Sequence, residues 1–392
     1  MKVGIGTAEG GLAFEAGQEA AARAVREIGE DSADFALVFS SPAFSSADLL
    51  EGVRVAVGHA PILGCTDAGN LTCDGVTHDS VVVMLLSAPG LTIRAGAGEG
   101  ISLDSVAAGR EMATQAREGR LGQGDGPGNL MLAFCDGSSA DPAGVPSGVG
   151  AVLGSDFPVL AAVAAGEGTS AGSGLYCMGH LLSDSCAGFL LGGTLRFGVG
   201  CRHGWEPISR ARFVTDRDGT RLRAIDGRAA LDCYRDYLGE AFDPADLSRV
   251  GSLYPLGFDV EGEEEPLLRF PRFVEPDGTL VLSGEVPVDA TLRLVMATRD
   301  SVCGSARRAA ELARDGLGAT PVRAAVVFSS FARERVMGRE ARREVAAIRE
   351  VLGHDVPVAG LYGAGVIAPS LSAGGRARYR TNAIAVLAIG EE

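Results

Sequence analysis

The sequence predicts an α/β fold with mixed sheets, made of repeated strand-helix-strand-helix-strand-strand units, and three observations predict it. A Pro-to-Gly segment recurs at one spacing: Pro61 to Gly69 in APILGCTDAG, Pro158 to Gly166 in FPVLAAVAAG and Pro357 to Gly365 in VPVAGLYGAG. Upstream of each lies an apolar run that ends on Phe and a small polar or sulfur pair, at ALVFSS (36–41), LMLAFCD (130–136) and AVVFSS (325–330). Downstream of each lies a further β-like run, at 78–88, 186–200 and 381–390. Self-similarity of this kind marks a repeated supersecondary unit.

The elements follow in order. Phe14, Gly17, Ala21, Ala24, Val25 and Ile28 keep helical spacing and predict a helix over 13–29, with counterparts at 102–118 and 301–316. Ala341, Val345, Ile348 and Leu352 predict the third unit's second helix, whose Arg and Glu residues read as a solvated face. The units cover 1–90, 91–200 and 291–392, leaving 201–290 as a different module. That module is expected to contain hairpins turning at Asp218-Gly219 and Asp277-Gly278 and a helix over 228–239, with the acidic DVEGEEEP (259–266) as a solvated loop. Glycine numbers 56 and is spread along the chain, which suits short elements joined by tight turns.

Composition excludes several function classes. Net charge is −15 and no basic cluster interrupts it, which argues against a nucleic-acid or membrane-surface partner. Lys2 is the only lysine, so a Walker A loop, a Schiff-base site and a Ser–Lys dyad lack their required residue. The apolar runs are far shorter than a membrane span and the N-terminus shows no apolar signal region, so a cytoplasmic location is expected. The eight cysteines form no CxxC pair and read as buried, reduced thiols. The five histidines lack zinc spacing, and no metal is expected. GIGTAEG (4–10) and GAGEG (96–100) lack the third glycine of a dinucleotide fingerprint.

Small polar residues where a strand gives way to a helix favour N-capping, which is the default expectation at Ser40/Ser41, Cys135/Asp136 and Ser329/Ser330. At the third copy Arg333 adds a fork of donors, so ligand contact is a second expectation there. GTSAG (168–172) matches the nucleophile pattern G-x-S-x-G, but the glycines after Ser170 disfavour the helix that pattern needs. Trp205 is expected to pack between the halves.

The segments LVFSSPAFSSADLLEGV and PILGCTDAGNL, then VTDRDGTRLRAIDGRAALDCYRDYLG, YPLGF, LLRFPRFVEPDGTLVLSGEV, VVFSSFARERVMGREARREV and VPVAGLYGAGVIAPS, resemble the FIST family of sensory and signal-transduction domains. The resemblance implies two associated α/β domains, a FIST-N-like one over 1–222 and a FIST-C-like one over 223–392. It also implies a small ligand and a signalling partner such as a histidine kinase. Some relatives resemble haem proteins, for which His203 and His180 are the axial candidates. The chain departs from the family pattern where Ser330 replaces a cysteine between Phe328 and Arg333, where Val366 replaces a glutamate after Gly365, and at Asn70 after Gly69.

The expectation is therefore a ligand-binding sensory protein without chemistry of its own, taking a small polar or anionic metabolite, such as an amino acid, at Cys65, Thr66, Asp67, Ser329, Ser330, Arg333, Tyr362 and Gly365. Asp67 is the group that would accept a ligand ammonium. The alternatives are a haem-based gas sensor, a hydrolase using Ser170 or a cysteine, and a ligandless scaffold.

Overall fold

Apolar alternation within each Phe-ended run sends side chains to both faces, so these strands must lie in the middle of covered sheets. The computed structural model, which describes all residues except 30–31, 120–121, 124–127, 138–140, 166–172, 240–242, 371–374 and 392, shows how they are covered. The fold is mixed α/β, and three of its four sheets share one order of elements. Each has a lead strand, a return strand, the Phe strand and the Pro strand side by side. In unit 1 these are Lys2–Glu9, Ser80–Ser87, Phe35–Ser40 and Ile62–Thr66; in unit 2, Leu91–Glu99, Ser185–Gly193, Gly128–Cys135 and Val159–Val163. In unit 3 they are Leu195–Arg202, Ile384–Glu391, Val322–Ser330 and Val358–Gly363. Phe and Pro strands run parallel, and the return strand is antiparallel to the Phe strand.

The described unit differs from the expected six elements by a hairpin between Pro and return strands. These hairpins are Gly69–Thr72/Gly75–Thr77, Leu175–Cys177/His180–Leu182 and Gly365–Pro369/Ala377–Arg380. None joins its own sheet. The hairpin of unit 1 extends the sheet of unit 3, that of unit 2 extends unit 1, and that of unit 3 extends unit 2, a closed cyclic exchange. A second difference lies at 186–200. This run is two strands, and the second, Leu195–Arg202, opens unit 3, so the extra module interrupts that unit after its first strand.

The three inner sheet faces share one core, in which Phe39, Phe134 and Phe328 meet at 5.3–6.4 Å between ring centroids. Burying one such ring contributes about 2–3 kcal/mol. Alternate residues such as Ala36 and Val38 face outward onto the helices of unit 1. One helix of each unit begins at a capped end: Ser46 accepts from the Leu49 amide, Asp104 from that of Ala107, and Thr298 forms a capping box with Ser301. Glycine on the lead strands lets helix and strand touch. A Cβ at Gly6, Gly96 or Gly200 would stand 2.0 Å from the carbonyl oxygen of Ala20, Met112 or Ala309 respectively. Gly4 and Gly6 of GIGTAEG and Gly96 and Gly98 of GAGEG thereby serve packing.

The interrupting module carries a nine-stranded sheet that includes the expected hairpins, Arg212–Asp218/Arg221–Ile225 and Pro271–Val274/Leu280–Leu282. The helix expected over 228–239 is shorter, Asp232–Leu238, because Arg228–Ala229 pairs with the preceding strand. The 222/223 division falls within the strand Arg221–Ile225. The acidic loop is not merely solvated: Glu263 is almost wholly buried, accepts from Ser370 and Arg380, and pairs with Arg378. Trp205 packs with Phe270 and Phe331 and donates to the Leu253 carbonyl. Among the described residues no helix is long and apolar enough to cross a membrane.

Candidate functional site

The C-terminal ends of the Phe and Pro strands gather most of the expected ligand residues, but in unit 3 the chain itself occupies them. Arg333, 0% exposed, donates through Nε to Glu344 Oε1 at 2.6 Å. Its Nη1 donates to the His203 carbonyl and Ser305 Oγ, and its Nη2 to the Val302 carbonyl. Tyr362 donates to Glu344 Oε2 at 2.7 Å, and the Ser329 hydroxyl lies 3.3 Å from Oε1. Ser330 accepts from the Ala332 amide as an N-cap. The guanidinium fork is therefore spent within the protein, and the third cluster is a closed network around Glu344. At the other copies, Ser41 Oγ accepts from the Ser80 amide without capping the helical turn that follows it, and Asp136 accepts from Ser173 and the Asp184 amide.

In unit 1, Cys65 is buried, and burial followed by the Asp67 charge pushes its thiol pKa well up. Thr66 donates to the Ala165 carbonyl and accepts from the Gly174 amide. Asp67 is buried, and among the described residues neither oxygen makes a well-formed hydrogen bond beyond the influence of the Gly69 amide. A Cβ at Gly365 would stand 2.7 Å from the Tyr379 ring and 2.9 Å from the Arg380 carbonyl, so this glycine allows the hairpin to close. His203 Nδ1 accepts from the Trp205 amide, and burial with the Arg380 and Arg333 charges lowers its pKa to about 3. Its neighbours Cys201 and Arg202, with Glu265, line a cavity of about 10 Å3. His180 is exposed on a crossing hairpin. Ser170 lies outside the described residues.

A cavity of about 370 Å3 opens between the second unit, the interrupting module and the crossing hairpin of unit 3. Four arginines line it, Arg217, Arg269, Arg376 and Arg378, with Glu285; Arg376 pairs with Asp156 and Arg378 with Glu263, neither acid being part of the lining. Arg269 is 4% exposed and stacks 5.7 Å from the Tyr379 ring centroid. Its Nε and Nη1 donate to the carbonyls of Glu285, Leu268 and Tyr379, while Nη2 has no hydrogen-bond partner among the described residues. No carboxylate pairs with it there, and burial pushes its pKa below the usual arginine range. Gly284 leaves the room it needs, since a Cβ there would stand 2.6 Å from Arg269 Nε.

The sequence does not by itself point to Arg269 or the cavity, and Glu344, expected on a solvated face of its helix, is instead 0% exposed. The signals were a lone Arg inside LLRFPRF and a Glu between Ala341 and Val345 on the apolar stripe of its helix.

Two associated α/β halves with a cleft between them set the class, and the family follows. Residues 34–228 match the FIST N domain and 230–369 the FIST C domain. The chain belongs to the FIST family, whose domains are sensory domains of signal transduction. Proteins of Mycobacterium bovis and Mycobacterium tuberculosis are each 26% identical over 391 aligned positions, covering 94% of both chains. Among solved structures, a cyanuric acid hydrolase aligns over 100% of this chain and 99% of its own at 9% identity and TM-score 0.38. Thermotoga maritima PurL complexed with FGAR aligns over 99% and 72% at 12% identity and TM-score 0.25. Likeness at these scores carries no inference about activity.

Proposed function

We propose that the protein is a sensory module that binds a small organic anion in the arginine-lined cavity between its N- and C-terminal halves, and that closure around the anion is read by a signalling partner. The observation that carries this reading is Arg269. A buried guanidinium without a carboxylate is costly, and it stands in the wall of a cavity lined by three further arginines in a chain of net charge −15. Burial and planar donors suit a carboxylate or phosphate. The apolar wall from Val260, Leu267 and Val286 suits a ligand with a hydrocarbon body, and the cavity is of small-metabolite size. Family membership supports sensing as the use of such binding.

The test is a melting-temperature screen against inorganic phosphate, dicarboxylates and acidic amino acids. A ligand at about 100 times its dissociation constant adds about 2.7 kcal/mol, several degrees for domains of this size. Arg269→Met should abolish the shift while leaving the fold intact. An equal shift in wild type and Arg269→Met would remove the cavity from consideration.

A further inference from the structure

Asp67 lies between the Pro strand of unit 1 and its crossing hairpin, 1% exposed, with neither carboxylate oxygen in a well-formed hydrogen bond among the described residues. Three residues on, Asn70 is 0% exposed and donates through Nδ2 to the Ser80 carbonyl at 3.2 Å and Ser80 Oγ at 2.9 Å. Because a carbonyl oxygen only accepts, this bond fixes the amide's orientation. Asn70 Oδ1 is therefore an acceptor, and it too has no partner. Three buried acceptor atoms within four residues of chain thus lack a well-formed hydrogen bond, the Gly69 amide being the one backbone donor that acts on Asp67. Gly69 sits between them, and a Cβ there would stand 3.2 Å from His78 Nε2 and 3.3 Å from Glu334 Oε1. The hydrogen-bonded His78–Glu334 pair thus lies against the same backbone. The arginines of the helix Phe331–Met337, which carries Glu334, are engaged elsewhere: Arg333 with Glu344, Arg335 over the Phe331 ring and toward Ser252.

The repeats show that the fold does not require this carboxylate. At the same distance after the repeated proline, unit 2 has Ala164 and unit 3 has Gly363; where unit 1 has Asn70, unit 3 has Val366. In unit 3 Gly363 and Val366 make the same crossing, as the pairings of Tyr362 with Gly69 and of Val163 with Gly365 confirm for the register.

The geometry points to a recognition site for a primary ammonium group formed by Asp67 and Asn70, with Glu334 alongside. The N–H donors of such a group suit these acceptors, and its positive charge offsets that of Asp67 once the carboxyl gives up its proton on binding. A water offers two protons and no charge to offset a buried carboxylate. A hard divalent cation such as calcium takes about six to eight oxygen ligands, and among the described residues no three His, Cys, Asp or Glu side chains converge as metal ligands. This site is separate from the Arg269 cavity and does not rest on the anion reading.

Titration of the full chain with methylammonium chloride and, at equal ionic strength, tetramethylammonium chloride tests it through melting temperature and calorimetry. Only the first has N–H donors. Methylammonium should raise the wild-type midpoint by about 3 °C or more and tetramethylammonium should not. Asp67→Ala, which installs the residue carried by unit 2, should weaken methylammonium binding at least about tenfold, while Arg269→Met should leave it unchanged. If Asp67→Ala does not fold, Asn70→Val, the residue of unit 3, serves in its place. Equal responses to both salts, no response to methylammonium, or an undiminished response in the variant would overturn the assignment.

Discussion

Arg333 Nε and Glu344 Oε1 stand 2.6 Å apart with both side chains wholly excluded from solvent. Every guanidinium nitrogen has a protein partner, and Glu344 gathers Ser329 and Tyr362 as well. Breaking one side of such a pair leaves an uncompensated buried charge. Arg333→Ala should cost about 3–5 kcal/mol in urea unfolding, and anion affinity per folded molecule should not change. A stable Arg333→Ala that loses only anion binding would return this residue to ligand recognition.

Phe134 and Phe328 meet at 5.3 Å between centroids, with Phe39 at 6.0 and 6.4 Å. Each unit contributes one ring. Phe134→Ala should destabilise by about 3–5 kcal/mol and Phe134→Leu by less than about 1.5 kcal/mol. A double-mutant cycle between Phe134 and Phe328 should show coupling of about 0.5–1.5 kcal/mol, read from denaturant midpoints.

Gly200 faces the carbonyl of Ala309, where an added methyl would stand 2.0 Å away. Gly200→Ala should cost about 1–3 kcal/mol, with Gly6→Ala behaving alike against Ala20. Thermal unfolding measures both, and a neutral effect at either site would show that the helix can lift from its strand.

In the absence of a bound cation, Asp67 holds its proton above the usual carboxylate range, because of burial first and the Glu334 charge second. Cys65, Tyr176 and the His78–Glu334 pair surround it. In the unfolded chain an aspartate ionises at about 3.9. Above that pH the native state holds more protons than the unfolded state, so this residue's contribution to stability falls as pH rises. Asp67→Asn should therefore exceed wild type in stability at about pH 8, with the difference shrinking toward about pH 5. Urea titrations at the two values decide it; a difference independent of pH contradicts the shifted proton.

The Phe and Pro strands were legible because both patterns are local: an apolar run has to be buried, and repetition at one spacing makes chance improbable. The crossing hairpins were not, since strands as short as Gly75–Thr77 carry too few residues to show a period. The break in unit 3 was hidden because Ser185–Gly193 and Leu195–Arg202 read as one continuous β-like run. At the strand ends the sequence singled out Asp67, Ser329, Arg333 and Tyr362, yet it could not show that Glu344 satisfies three of them. Arg269 and Arg217 reach their cavity from opposite ends of the interrupting module, a proximity that exists only once the sheet has formed.

The cyclic exchange of hairpins also sets a schedule for synthesis. Leu71 pairs with Gly360, so a hairpin that leaves the ribosome early waits for almost the entire chain before its partner strand emerges. Until then the nascent protein presents unmatched strand edges, the kind of surface that invites pairing with other chains. Non-local pairing of this type folds slowly. Premature termination before the last unit would leave the sheet of unit 2 without its outer hairpin and the hairpin of unit 1 without a sheet, so no shortened product retains a finished edge.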